Sequence, residues 1–156
     1  MTEHDPTIAE NEDTSSPVHT LSDEECWDLL RDTEFGRMAY HLAGEVHIVP
    51  INYATDGRRL YFKTAEGSKL LGIVMNEDVA FEIDSIDDEA ESAWSVIARG
   101  KARILEGEEA RDADNLRLRP WVSTEKFNVV AIDIDEVSGR DFHLARPWRH
   151  MMPQQD

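Results

Sequence analysis

The chain has 156 residues, of which 33 are acidic and 16 basic, so its formal net charge at pH 7 is −17. This length predicts one domain with its own core, and 40% hydrophobic residues are typical of a globular protein. So negative a surface repels phosphate backbones and anionic lipids, which argues against nucleic-acid and membrane binding. The single cysteine, Cys26, excludes an internal disulfide and favours a reducing cytoplasm.

The first twenty residues contain no Lys or Arg and no sustained apolar period. This composition predicts a disordered acidic tail over residues 1–20. The tail lacks the basic start and apolar stretch of a signal peptide, and no apolar run in the chain approaches the roughly 20 residues that cross a bilayer. We therefore expect a soluble, cytoplasmic protein.

A first helix is predicted where Ser22 and Glu25 have the spacing of a capping box. Its apolar face is formed by Cys26, Leu29 and Leu30. Gly36 is the residue expected to end it, because glycine is common just after a helix.

Three strand-like runs follow, over residues 37–43, 46–55 and 58–64. Gly44 lies between the first two runs, and Asp56-Gly57 lies between the second and third. Asp-Gly between apolar runs is a strong signal for a β-hairpin. The sequence therefore predicts an antiparallel meander.

The remaining elements are predicted in chain order as a short helix, a strand, an acidic loop, a long strand, a helix and a last strand. Their ranges are 68–76, 79–84, 85–92, 93–106, 107–119 and 127–142; the long strand bends at Gly100, and the last strand turns at Ser138-Gly139. Short hairpins do not suit a parallel doubly wound sheet. We therefore predict a mainly β fold, a small β-barrel with peripheral helices.

A candidate anion site lies at Gly67-Ser68-Lys69, where a strand is expected to pass into the short helix. The first N–H groups of a helix have no partner within it and carry partial positive charge, which suits a phosphate. Ser68 adds a hydroxyl donor and Lys69 a full positive charge. Three polar side chains of the preceding strands are expected in the same area: Arg37, Lys63 and Thr64.

The simpler interpretation is that Ser68 only caps the helix and that Lys69 is a solvated cation. The corner lacks the spacing of a phosphate-binding P-loop, and no G-x-G-x-x-G follows a strand, so nucleoside-triphosphate and Rossmann chemistry fit poorly. Both interpretations of the corner remain open on the residues alone.

Pro50 lies inside a predicted strand, where it removes a ladder donor and indicates an edge or a bulge. An interrupted edge leaves backbone groups for a flat polar heterocycle such as a flavin ring. Asn52 offers both a donor and an acceptor beside it. A plain edge-strand stop explains Pro50 equally well.

Other kinds of site have weaker signals. His41 and His47 lie on adjacent predicted strands but lack a third ligand, so no metal site is predicted. The acidic loop lacks the spacing of a calcium loop, and no G-x-S-x-G elbow is present. No catalytic acid, base or nucleophile is assigned.

Four motifs in order, G-R-x-A, V-P-x-N-Y, G-S-K and W-S-V, resemble those of the flavin-binding split-barrel proteins. More narrowly, the chain is similar to the pyridoxamine 5'-phosphate oxidase-like branch that includes the nitroimidazole-reductase relatives. The resemblance covers residues 21–142, leaving 1–20 and 143–156 as tails.

This resemblance implies a six-stranded antiparallel split barrel that forms a homodimer, with FMN in two clefts at the subunit interface. It implies that the phosphate is held by Ser68 and Lys69, with Lys63, Thr64 and Arg37 beside it. It implies that the isoalloxazine edge is lined, largely through main chain, by Val49, Pro50, Ile51 and Asn52. Trp94 and Ser95 of the partner subunit would close the cleft.

Two departures from the family pattern concern the substrate. The C-terminal segment does not match the Arg and His substrate contacts of the true pyridoxamine-phosphate oxidases, and Lys63-Thr64 stands where the nitroimidazole-reductase relatives have a histidine. We therefore expect an FMN-dependent oxidoreductase acting on an unidentified small molecule, with NADH or NADPH as a candidate electron donor. The alternatives are a deazaflavin-dependent reductase, a non-catalytic flavin- or haem-binding carrier or sensor, and a cofactor-free interaction module.

Overall fold

A computed structural model describes residues 16–65, 78–116 and 127–145 of the chain. In chain order these contain β1 (Val18–Leu21), α1 (Asp23–Asp32), β2 (Phe35–Leu42), β3 (Glu45–Asn52), β4 (Ala54–Thr55), β5 (Arg59–Ala65), β6 (Asp78–Asp87), β7 (Ser92–Ile104), α2 (Gly107–Asn115) and β8 (Phe127–His143). Neither helix in these ranges combines the length and the apolar character that a membrane span requires.

All strands belong to one antiparallel sheet with the order β3-β2-β6-β7-β8-β5-β4, and β1 also pairs with β8. β5 and β1 share one edge of β8, β5 pairing with Phe127–Asp133 and β1 with Gly139–Phe142. Within the described chain the sheet does not close. The predicted mainly β split barrel with peripheral helices is confirmed, although the described residues form eight strands rather than the predicted six, because β1 and the two-residue β4 are added.

Helix α1 begins as its capping box predicts. The backbone N–H of Glu25 donates to Ser22 Oγ at 3.2 Å, and the Ser22 N–H donates to Glu25 Oε2 at 2.7 Å. The helix ends at Asp32, so the prediction that Gly36 ends it is wrong. Gly36 lies in β2, where an added Cβ would be 2.5 Å from the carbonyl oxygen of Glu82. It is glycine because β2 and β6 approach closely there.

The main core lies between the sheet and α1. It is built on side chains that are almost completely buried, among them Leu30, Met38, Leu60, Phe62, Phe81, Ile83, Val96, Val130 and Ile132. A smaller cluster lies beneath α2 and contains Tyr61, Leu105, Ala113, Val129 and Ala131. β5 therefore contributes to both cores, since successive side chains of a strand point to opposite faces.

Three boundaries differ from the predictions. Residues 18–20, assigned to the acidic tail, belong to β1. The predicted acidic loop is shorter, because β6 continues to Asp87 and only residues 88–91 form the turn. The predicted turn at Ser138-Gly139 is wrong, because β8 is continuous through both residues. The predicted bend at Gly100 is confirmed by a register shift between Arg99 and Gly100.

Gly139 is required by packing rather than by a turn. An added Cβ would lie 2.7 Å from Cys26 Sγ and 3.0 Å from Leu21 Cδ1. Such overlap forces neighbouring atoms apart, and overpacking of this kind costs about 1–3 kcal/mol. Gly139 therefore allows α1 and β1 to approach β8.

We expect Gly139→Ala to lower the free energy of unfolding by about 2 kcal/mol. Because the shortest contact is with Cys26 Sγ, the double variant with Cys26→Ala should lose less than the sum of the two single variants, by at least about 0.5 kcal/mol. Urea unfolding of the four proteins measures this coupling. Strictly additive losses would contradict the proposed contact.

Candidate functional site

The candidate site is the gap between β3 and β5, which we call the split. These strands are the arms of one hairpin, and between them only β4 pairs with β5, through Ala54–Tyr61 and Thr55–Leu60. If that register continued, Asn52 would face Lys63 and Ile51 would face Thr64. Instead, within the described ranges, β3 pairs only with β2, and beyond β4 the strand β5 pairs only with β8. The arms therefore separate where both carry predicted site residues.

Tyr53 occupies the point of separation. Its backbone N–H donates to the Glu34 carbonyl at 2.9 Å, and its buried hydroxyl donates to the Leu30 carbonyl at 2.7 Å. Its ring meets Phe81 edge-on, with centroids 4.8 Å apart. Burial raises the pKa of Tyr53, so the phenol stays neutral. These contacts hold this end of β3 against β2 and α1 while β4 follows β5.

Lys63 and Thr64 lie on the β5 side of the split. Thr64 shares the inner face of β5 with Phe62, and Lys63 lies on the opposite face. The Lys63 ammonium is 4.1 Å from the centroid of the Phe127 ring, a cation–π arrangement. Both residues are therefore positioned at the end of β5 by pairing with β8.

Ser68 and Lys69 follow β5 by three and four positions but lie outside the described residues, as does the predicted short helix. The proposed phosphate corner at Gly67-Ser68-Lys69 therefore stays a prediction. In the chain the corner follows Ala65, the last residue of β5, by two to four positions.

The four residues that were predicted to line the isoalloxazine edge lie on β3, on the other side of the split. Ile51 is buried in the main core and Val49 packs against it, whereas Pro50 and Asn52 lie on the outer face. β3 is an edge strand of the described sheet, as the proline predicts. All four residues are thus at the split or within three positions of it.

Arg37 is the cross-strand partner of Pro50, so the structure brings these two predicted residues together. The guanidinium is already engaged, because its Nη1 lies 3.0 Å from Glu82 Oε2 and 3.3 Å from Asp84 Oδ2. Burial, together with the neighbouring Asp84 carboxyl, raises the pKa of Glu82. The phosphate role of Arg37 stays a prediction, now with two carboxylates as competitors.

Sequence reasoning missed Glu82 and Asp84. They are separated from Arg37 by 45 and 47 positions, so no local pattern relates them. The available signal was alternation in β6, where buried Phe81 and Ile83 place both carboxylates on the outer face.

Trp94 and Ser95 are adjacent on β7 and therefore lie on opposite faces. Trp94 packs against the main core and lines a cavity of about 330 Å³ with Leu21 and Leu29. Ser95 is on the outer face, where its cross-strand partner is Asp84. Three strand spacings, roughly 14 Å, separate β7 from β3. A single chain therefore does not bring Ser95 to Asn52, and contribution from a partner subunit stays a prediction.

The two candidate metal ligands are also separated. His47 stacks on Tyr40, its cross-strand partner, with ring centroids 5.2 Å apart, whereas His41 is on the other face of β2. Across the part of the chain that the structure describes, no three His, Cys, Asp or Glu side chains are grouped as metal ligands.

Among the proteins that resemble this chain are two FAD-binding proteins of known structure and one uncharacterized protein. The FAD-binding protein from Mycobacterium smegmatis is 38% identical, with a TM-score of 0.73 over 81% of this chain and 100% of that one. A FAD-binding protein from Mesorhizobium loti is 25% identical, with a TM-score of 0.67 over 80% and 97%. An uncharacterized protein of Mycobacterium tuberculosis is 39% identical over 90 residues, 57% of this chain and 80% of that protein.

The extent of the family match agrees with the fold. The family model described as pyridoxamine 5'-phosphate oxidase matches residues 22–141, from the cap of α1 almost to the end of β8. The family resemblance drawn from the four ordered motifs is thereby confirmed. Since the match covers most of the chain, the protein belongs to the pyridoxamine 5'-phosphate oxidase family.

Proposed function

We propose that the protein is a flavin-binding oxidoreductase whose cofactor is held at the split. The observation that carries the proposal is the separation of the hairpin arms between Asn52 and Lys63, since the predicted cofactor residues border it on both sides. The two relatives described as FAD-binding, at 38% and 25% identity, support the same cofactor class.

The residues at the split suit such a group. On one side β3 offers a sheet edge and the Asn52 amide, which can both donate and accept. On the other, Thr64 offers a hydroxyl and Lys63 a positive charge, in a chain of net charge −17. The proposed phosphate ligands are Ser68 and Lys69. A bound flavin would supply the hydride or electron transfer, and the chain's residues would bind and orient it.

FMN is the cofactor we propose first, because one phosphate matches one helix corner. FAD is the second candidate, since the M. smegmatis and M. loti relatives are described as binding it. Titrating the purified protein with both flavins, and with a deazaflavin and haem, distinguishes these cofactors by affinity.

Steady-state oxidation of NADH or NADPH with an added acceptor separates an enzyme from a carrier, because a carrier would bind the cofactor stoichiometrically without turnover.

We expect Lys69→Gln to weaken FMN binding about tenfold to a hundredfold, the loss typical of one charge-assisted hydrogen bond. Riboflavin, which lacks the phosphate, should bind both proteins equally. Fluorescence quenching of each flavin measures the affinities. Lys101→Gln is the matched control, because Lys101 is an exposed lysine on β7.

Equal loss of FMN and riboflavin affinity in the Lys69 variant would contradict the phosphate role. A wild-type protein that is colourless and binds neither FMN nor FAD would overturn the flavin proposal itself.

We further propose that the protein is a homodimer with the cofactor at the subunit interface. The outer face of β3 carries Val46 and Ile48, which are 72% and 70% exposed, and Pro50 continues the row. Ala39 lies beside Ile48 on β2, and Ala80 lies beside Ala39 on β6. We call these five residues the outer apolar patch. Exposed apolar patches of this kind indicate interaction sites, and a second copy is the proposed occupant.

Ile48→Glu is expected to convert the dimer to a monomer, because it buries an unpaired charge at the proposed interface. Sedimentation velocity measures the change. Val18→Glu, at a 41% exposed residue of β1, is the control that should leave the mass unchanged. A wild-type protein that sediments as a monomer would contradict the proposal.

We place the protein in the cytoplasm. The proposal is supported by its single thiol, Cys26, which is buried and free. Cell fractionation with an antibody to the protein tests it.

A further inference from the structure

A cavity lies beside the turn between β4 and β5, at the opposite end of β4 from the split. It has a volume of about 460 Å³ and is bordered by Trp27 of α1, by Arg58 and Arg59 at the start of β5, and by Asp133 of β8. It opens where one edge of β8 is uncovered, because pairing with β5 ends at Asp133 and pairing with β1 begins only at Gly139. We call it the turn cavity.

The carboxylates of the turn cavity already accept hydrogen bonds on both oxygens. Asp56 Oδ1 accepts from the backbone N–H groups of Arg58 and Arg59, each at 2.9 Å, and its Oδ2 accepts from the Tyr61 hydroxyl at 2.8 Å. Asp133 Oδ1 accepts from Arg59 Nε and its Oδ2 from Arg103 Nε, both at 2.7 Å. These hydrogen bonds lower the pKa of Asp56 and keep it ionised.

The turn cavity also has hydrogen-bond donors that no described residue uses. The guanidinium of Arg58 is exposed and forms no hydrogen bond or ion pair with another described residue, so its five N–H donors are not used within that part of the chain. Arg31 lies against the same turn, since a Cβ added to Gly57 would be 3.2 Å from its Nη1. Arg31 is already paired with Asp28, its Nη2 lying 2.6 Å from Asp28 Oδ1, so Arg58 is the guanidinium that a carboxylate or phosphate ligand can use here.

Trp27 supplies the other half of the recognition. It is half-buried, packs against the main core and also borders the cavity. An indole offers a rigid, flat apolar surface for another ring. The volume of about 460 Å³ is within the range of small-molecule sites.

We propose that the turn cavity binds a small aromatic anion, with its ring against Trp27 and its phosphate or carboxylate on Arg58. Nucleoside monophosphates and aromatic carboxylates are the two sources of that chemistry. The site is separate from the split, because Arg59 and Lys63 are four positions apart on β5, roughly 13 Å. It therefore does not depend on the proposed flavin site.

The test uses the full-length ¹⁵N-labelled protein with saturating FMN, so that a phosphate site at the split is filled. The indole N–H signal of Trp27, assigned with Trp27→Phe, is followed during titration with AMP, adenosine, benzoate and inorganic phosphate. AMP or benzoate is expected to shift it with an affinity at least about tenfold above that of adenosine and of phosphate. Whichever of the two binds more tightly identifies the source.

Arg58→Gln should weaken the tighter ligand at least about tenfold, whereas Arg111→Gln, at an exposed arginine of α2 that does not border the cavity, should leave it unchanged. Equal effects of the two variants would overturn the proposal. So would adenosine or phosphate binding as tightly as the aromatic anions, or a Trp27 signal that none of the four compounds shifts.

Discussion

Gly100→Ala is expected to remove about 3 kcal/mol or more of stability, because the added methyl group has no space. Its Cβ would lie 1.9 Å from the carbonyl oxygen of Asp133 and 3.0 Å from Ile134 Cα. These are backbone atoms of β8, so no side chain can rotate away. Gly100 also follows the register shift that bends β7. A loss of this size is a large part of the 5–15 kcal/mol typical of a domain.

Urea unfolding followed by circular dichroism measures the effect. Gly44→Ala is the matched control, since Gly44 has a φ of +83° but an added Cβ meets nothing within 4 Å. Only backbone strain, about 1–2 kcal/mol, is expected there. If the two variants lost the same stability, close approach of β7 and β8 would not be the reason for glycine at position 100.

Phe81→Ala is expected to lower the free energy of unfolding by about 3–5 kcal/mol, because it leaves a cavity in the main core. Phe81 is fully buried, and its ring meets Tyr53 edge-on at 4.8 Å. Phe81→Leu keeps most of the volume and should lose less. Since Tyr53 holds the point where the hairpin arms separate, near-ultraviolet circular dichroism should also change in the alanine variant.

Ile86→Ala is the control on the same strand. Ile86 is 64% exposed, and such surface substitutions usually change stability by less than about 0.5 kcal/mol. Comparable losses for Phe81→Ala and Ile86→Ala would show that Phe81 does not support the core.

Local signals predicted the parts of the fold that local interactions determine. The capping box of α1 and the Asp-Gly hairpin require only neighbouring residues, and both are present. β1 could not be predicted in this way, because its four residues form a strand by pairing with β8, more than a hundred positions away. Gly139 was assigned to a turn because a Ser-Gly pair has that local preference, whereas contact with Cys26 determines it.

For the candidate site, too, the features with a local sequence signal were predicted and those that depend on strand register were not. Pro50 in a strand predicted the exposed edge of β3, and both sides of the split carry residues that the family motifs indicate. The ion cluster of Arg37 with Glu82 and Asp84 could not be predicted, because it depends on the register of β2 against β6. The same holds for the Lys63–Phe127 contact, which depends on β5 pairing with β8.

The arrangement around β8 also has a consequence for folding in the cell. This strand follows every other described element in the chain, yet it joins β7 on one side to both β5 and β1 on the other. During synthesis the edges of β7, β5 and β1 that pair with this strand therefore stay unpaired until it is made. The pairs of β5 and β1 with it also join residues that are far apart in the chain, which slows folding. We expect the nascent protein to gain its native sheet only once this strand has left the ribosome, and to need protection from aggregation until then.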